Sequence, residues 1–196
     1  MVINPQVTAQ NLGEFIALAN AQPGKLNYGS GGTGSITHLT GELFKLATKV
    51  NIVHVPYKSI AIAQTDVIGG QVQAAFPTTP GAAPHVRSGR LRALAVSTAQ
   101  RTAALPEVPT FGEAGVKDMI VTNWFGIFGP ARLSPELLAQ LHKAVIAAMQ
   151  ADDVRAKFAN LSLDIKTSSP KEFEAHLKSE LVRWGAVVKA AGVKPE

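Results

Sequence analysis

Apolar positions along the chain follow two alternating periods, short β-rich runs and stretches with three- and four-residue spacing, and that alternation predicts the elements. Leu12, Phe15, Ile16 and Ala19 share one helical face, capped by Thr8 and closed before Pro23-Gly24. Leu26-Asn27-Tyr28 reads as a strand running into a glycine-rich turn. Beyond it, Ile36, Leu39, Leu43 and Leu46, with Phe44 beside them, mark an amphipathic helix whose N-cap is Ser35. Asn51 to Tyr57 alternates as a second strand halted at Pro56, and Ala61 to Ile68 is a helix closed by Gly69-Gly70. Gln71 to Phe76 is a third strand, followed by the loop Pro77 to Pro80. Ala82 to Arg87 is a short helix, and Arg90 to Thr98 a fourth strand with an apolar centre. Val2 to Val7 is an extended entry, with Pro5 limiting how much of it joins a sheet centre.

The later part of the chain is more helical. Thr110 to Glu113 has the spacing of a capping box, opening a brief turn that closes at Gly115. Met119 to Phe128 is an apolar, strand-like run. Ser134-Pro135 opens a helix with Leu137, Leu138, Leu141, Val145 and Ala148 facing a core; Asp152 to Asn160 is a second helix and Leu163 to Thr167 a strand. Ser169-Pro170-Lys171-Glu172 starts a long helix with Phe173, Leu177, Leu181, Trp184 and Val188 on one face. Strand and helix in alternation predict an α/β fold with a largely parallel sheet, whose ligands gather at the C-terminal strand ends. A seam is expected between about Asp118 and Trp124, and no internal repeat is present.

Composition narrows the classes. The 196 residues are 46% hydrophobic with a mean hydropathy of +0.12, enough for a substantial core. No apolar run approaches the roughly 18 to 20 residues that span a bilayer, and no basic region followed by an apolar stretch opens the chain as in a signal peptide. The absence of cysteine excludes disulfides, thiolate metal sites and cysteine nucleophiles. The net charge of +5 comes from dispersed Lys and Arg, with no block or interleaved aromatic ladder, so nucleic acid is not an expected partner. A mild positive bias suits a small anion.

The densest chemistry is Gly29 to Ser35, with four glycines and three hydroxyls, Ser30, Thr33 and Ser35. Glycines let the backbone turn sharply with bare amides, and the next helix aims its unsatisfied N–H groups at the same corner. The corner is read as an anion cradle of Ser30, Gly31, Gly32, Thr33, Gly34 and Ser35, with His38 and Thr78 as secondary contacts. The same run satisfies GxGxxG, so a nucleotide-dependent enzyme is the competing reading. It lacks the acidic residue at the second strand end, where Val55-Pro56-Tyr57-Lys58 stands. Ser35-Ile36 replaces the Lys-Ser of a P-loop, and Tyr28 the first glycine of a nucleophile elbow. His54, His85, His142 and His176 lack metal-ligand spacing. Glu42, Asp66, Glu107 and Glu113 are read as solvated, and Trp124 and Phe125 as core or hinge packing. No catalytic residue, metal or cofactor is assigned.

The strings QPGKLNYGSGGTGSITHLTGELFK, NIVHVPYK, TDVIGGQVQAAF, GRLRALAVST, LPEVPTFGEAG and NWFGIFGPA, in this order, resemble the Bug or TctC-type extracytoplasmic receptors of tripartite tricarboxylate transporters. The resemblance covers essentially the whole chain. It implies a non-enzymatic, two-lobed periplasmic binding protein of type II-like fold that pinches a small carboxylate between strand-turn-helix corners and delivers it to membrane transporter subunits. Gly29 to Ser35 matches the second-lobe corner. Residues 5–120 would form the second lobe and 121–196 the returning part of the first, whose N-terminal segment and signal peptide would precede this chain. Such a lobe could alternatively be non-binding and self-associate through an exposed sheet edge. Ser59 stands where the family tends to have glycine, and Pro77-Thr78 where it tends to have Asp-Asn. Ser59 and Thr78 keep hydrogen-bonding capacity, so the departure bears on amide-type contacts from the second loop.

Overall fold

The computed structural model describes residues 1–160 and 163–194. In chain order the elements are β1 (Val2–Ile3), α1 (Leu12–Ala21), β2 (Asn27–Ser30), α2 (Ile36–Thr48), β3 (Val53–Pro56), α3 (Ile60–Ile68), β4 (Ala74–Ala75), α4 (Thr79–Arg87), β5 (Arg92–Ala93), α5 (Pro135–Gln150), α6 (Asp152–Asn160) and α7 (Pro170–Ala191). By packing the chain divides into one unit of Met1–Asn123 with Trp184–Glu196 and a second of Trp124–Arg183, the later division falling inside α7.

In the first unit the strands form one sheet in the order β3-β2-β4-β1-β5. β2 pairs parallel with β3 and β4, whereas β1 is antiparallel to both β4 and β5. The sheet is therefore mixed, parallel apart from β1. β1 enters the interior of the sheet although Pro5 follows, because only Val2 and Ile3 pair. Strand alternation sorts the core into two layers. Ile3, Tyr28 and Ala74 pack with Leu12 and Phe15 of α1 and Phe44 of α2. Val2 and Ala75 pack with Val67 of α3 and Ala82 of α4.

Several local expectations change. The cap of α1 is Asn11, whose side chain accepts the Glu14 N–H at 2.9 Å, in place of Thr8. The fourth strand contracts to Arg92–Ala93, with Val96 bridging to Thr110 in parallel. Arg92 instead donates through Nη1 to the carbonyls of Pro5, Val7 and Ala9 at 3.3, 3.2 and 3.0 Å, tying the β1–α1 connection to the sheet. Arg92→Ala strands three acceptors at once and should lower stability by about 2 kcal/mol, read as a shifted midpoint in urea unfolding. An unchanged midpoint would mean that water replaces the guanidinium without loss.

Met119 to Phe128 takes no regular structure. Met119 and Val121 are buried, and Val121 exchanges bonds with Ser97 (N–H to O, 2.8 Å; Ser97 Oγ to O, 2.8 Å), while Phe125, Ile127 and Phe128 are exposed. Phe125 is thus not core. Trp124 packs edge-on against Phe173 at 5.6 Å and donates Nε1–H to Glu180 at 3.2 Å. Leu163 to Thr167 is likewise not a strand. The caps at Ser134 and Ser169-Glu172 form as expected. The apolar face of α5 is not covered, since Leu137, Leu138 and Leu141 stay exposed. Among the described residues the second unit contributes helices without a sheet to bury them.

Candidate functional site

β3, β2 and β4 lie side by side and parallel, and each runs within four to six residues into a helix, so the N-termini of α3, α2 and α4 open at one edge of the sheet. That edge collects partial positive charge and unsatisfied N–H groups. The turn 31–35 occupies it between Ser30 and Ile36. Gly31 is closely packed, since a Cβ there would stand 3.1 Å from the Ile60 N of α3. Gly32 adopts φ 112°, which side-chain-bearing residues avoid.

The turn satisfies much of its own bonding. The Gly31 N–H goes to Thr37 Oγ1 at 2.9 Å, the Gly32 N–H to Ser30 Oγ at 3.1 Å, and the Gly34 N–H to His38 Nδ1 at 3.0 Å. The Ser35 N–H goes to the Gly32 carbonyl at 3.1 Å, and Ser35 Oγ donates to the same carbonyl at 2.7 Å while accepting the His38 N–H at 3.3 Å. Thr37 Oγ1 sits 2.9 Å from Ser35 Oγ. What remains is specific: among the described residues the N–H groups of Thr33, Ile36 and Thr37 have no acceptor, and the Thr33 hydroxyl has no partner. The bare donors are therefore Thr33 and the first two residues of α2, with the glycines serving as the frame that presents them.

Of the residues singled out in the sequence, Ser30 is fully buried and Gly31, Gly32, Thr33, Gly34 and Ser35 form the exposed to half-buried lip. His38 is buried behind that lip, holding Gly34. Thr78 stands at the start of α4, at the same edge, exposed, with no hydrogen bond from its side chain to the helix. Two hollows on the surface, one of about 30 Å³ beside Pro77 and Thr79 and one of about 360 Å³ between Glu42, Lys49 and Ala190, are not lined by the turn. The turn is an open edge.

Behind it lies a polar network that sequence reasoning missed. Glu42, expected to be solvated, is buried. It accepts the Tyr28 hydroxyl at 2.7 Å and Lys45 Nζ at 2.8 Å, with His38 Nε2 at 3.9 Å. Asp66, also expected to be solvated, is half-buried and accepts the Tyr57 hydroxyl at 2.8 Å; burial and that bond push the Tyr57 phenol up to about 12. His54 stands opposite Tyr28 across the β2–β3 ladder, on the α2 side, and contacts Ser30 Oγ through Nε2 at 2.6 Å. Burial lowers the pKa of His38, with Glu42 opposing and Lys45 adding to the effect. The signals were present in the chain: His38 and Glu42 are four apart on one helical face, and His54 alternates with Val53 and Val55.

The fold is that of periplasmic binding proteins. The R. palustris protein Rpa4515, solved with adipate, superposes with a TM-score of 0.85 at 32% identity over 100% of this chain and 65% of that one. The periplasmic binding protein BugD gives 0.84 at 25% identity over 100% and 66%, and MatC from Rhodopseudomonas palustris, with bound malate, gives 0.80 at 27% over 95% and 65%. The family model "tripartite tricarboxylate transporter family receptor" (TctC) matches residues 1–193, and the chain belongs to that family of periplasmic solute receptors. Among curated relatives, protein BugT of Bordetella pertussis is 32% identical over 194 residues, 99% of this chain and 60% of BugT. The chain thus spans about 60% of the length of BugT.

Proposed function

We propose that this chain provides the carboxylate-capturing lobe of a non-catalytic periplasmic receptor serving a tripartite tricarboxylate-type transporter, with the membrane subunits as its partners. The observation that carries the reading is the trio of unpaired N–H groups, Thr33, Ile36 and Thr37, at the start of α2, in a chain whose structural neighbours Rpa4515 and MatC hold adipate and malate. Oriented amides at a helix start bind carboxylate oxygens through charge-assisted hydrogen bonds without side-chain charge. The Thr33 hydroxyl is placed to add a donor, and Thr78, at the neighbouring loop, to meet the remainder of the ligand. Within the cradle the residues have separate roles. Thr33 donates, while Ser30, Gly31, Gly32, Gly34, Ser35 and His38 hold the shape.

Calorimetric titration with adipate and malate, beside a nicotinamide dinucleotide, tests this reading. Thr33→Glu sets a competing carboxylate at the half-exposed lip and should lower affinity for either dicarboxylate at least about tenfold, since one charge-assisted bond is worth roughly 1.5–3 kcal/mol. Binding of the dinucleotide without the dicarboxylates would refute the assignment. So would equal dicarboxylate affinity in Thr33→Glu.

A further inference from the structure

Two imidazoles lie face to face behind the turn, His38 from the first turn of α2 and His54 from β3, with centroids 3.8 Å apart and planes inclined by 16°. Each supports one amide of the turn. His38 Nδ1 accepts the Gly34 N–H directly. His54 Nε2 pairs at 2.6 Å with Ser30 Oγ, the oxygen that accepts the Gly32 N–H. Ser30 Oγ also donates to the Gly32 carbonyl at 3.3 Å, so the donor in the 2.6 Å Ser30–His54 pair is set by the His54 tautomer. The His38 arrangement needs an Nδ1 without a proton.

Charged and titratable groups stand beside the pair. From α2 come Glu42, 3.9 Å from His38 Nε2, and Lys45, which pairs with that carboxylate at 2.8 Å. From β2 comes Tyr28, its ring 6.5 Å from His38 and 5.1 Å from His54, its hydroxyl given to Glu42. From β3 comes His54 itself. Two imidazolium rings in this stack would repel at contact distance, so a proton on one ring disfavours a proton on the other.

Resting on the carboxylate reading above, we infer that the stacked His38–His54 pair is a proton-sensitive brace for the anion turn, which keeps its binding shape while His38 is neutral and loosens when His38 is protonated on Nδ1. His38 and His54 are positioning residues here; neither touches the ligand. A protonated Nδ1 is a donor facing a donor, and the Gly34 amide must leave its place. The direction distinguishes a brace from a contact. Histidine cations lying against the anion would tighten binding in acid, whereas a brace weakens it. Fold stability moves the same way: burial lowers the folded pKa of His38 below its ordinary 6.5, so the unfolded chain takes up more protons and stability is lost as pH falls from about 6.5 through the lowered value.

The test compares the full chain with His38→Asn, which keeps an acceptor near the Nδ1 position but does not titrate. Adipate affinity is measured by calorimetry at about pH 7.5 and about pH 5.5, and the ratio is divided by that of the variant, which cancels protonation of adipate. The unmodified chain should lose about fivefold more affinity on acidification than the variant, the size of one hydrogen bond. In amide NMR spectra without ligand, the Gly34 signal should move with the same midpoint as the His38 ring. Equal ratios, tighter binding in acid, or a Gly34 signal that stays still while the His38 ring titrates would overturn the brace. If adipate binds at neither pH, the carboxylate reading fails while the Gly34 signal still decides the brace. The Gly34 signal of the unmodified chain also decides it should His38→Asn fail to fold.

Discussion

Gly41→Ala should cost about 3 kcal/mol of stability, although helix propensity alone would reward alanine by about 1 kcal/mol. Gly41 lies in α2 where the helix crosses the Tyr28 ring. A Cβ there would enter that ring, 2.6 Å from Cζ and in still closer contact with Cε2. The ring has nowhere to go: Tyr28 is fully buried, its hydroxyl bonds Glu42 at 2.7 Å, and Phe76 and His54 pack on it at 5.7 and 5.1 Å. Relief requires α2 to move off the sheet, carrying Ile36 and Thr37 with it. Urea unfolding should show the loss, and calorimetry a parallel loss of carboxylate affinity. Stabilisation, the outcome for an unobstructed helical glycine, would contradict the packing described.

The second large effect is expected at Gly32. Valine cannot adopt φ 112° without strain, and the residue is the hub of the turn. Its N–H goes to Ser30, and its carbonyl accepts both the N–H and the hydroxyl of Ser35. Strain and disrupted bonds together amount to about 3 kcal/mol, so Gly32→Val should weaken carboxylate binding by about a hundredfold. The global fold should survive, because the turn lies at the lip and the core of Phe15, Tyr28, Phe44 and Phe111 is untouched. A variant with full affinity would show that the turn's shape does not matter to the ligand. One that fails to fold would place Gly32 in the scaffold.

How much of this was legible in the sequence depends on whether the information is local. The caps at Ser35, Ser134 and Ser169 are side chains bonding backbone within four residues, so spacing alone reveals them. The glycine turn running into a capped helix was legible for the same reason. Which amides remain bare was not. That depends on the side chains of Thr37 and His38 folding back onto Gly31 and Gly34, and on Ser30 reaching His54 from another strand. Glu42 looked solvated because a carboxylate on a helix usually is; it is buried because Tyr28 and Lys45 satisfy it. The apolar run from Met119 to Phe128 looked like a strand, but strands are defined by ladder pairing, and the run joins no strand although Val121 bonds Ser97. The spacing of Leu137, Leu138 and Leu141 marks the apolar stripe of α5, but what such a stripe would cover is not in the local pattern.

The proposed carboxylate capture rests on three donors at the mouth of α2. Amide NMR of the full chain titrated with adipate addresses them directly, because each N–H reports its own bonding. Saturating adipate should move the Thr33, Ile36 and Thr37 signals most, with Gly31 and Gly34, already bonded to Thr37 and His38, moving less. Thr33, Ile36 and Thr37 signals that stay in place at saturation, or move only when a dinucleotide is added, would contradict it.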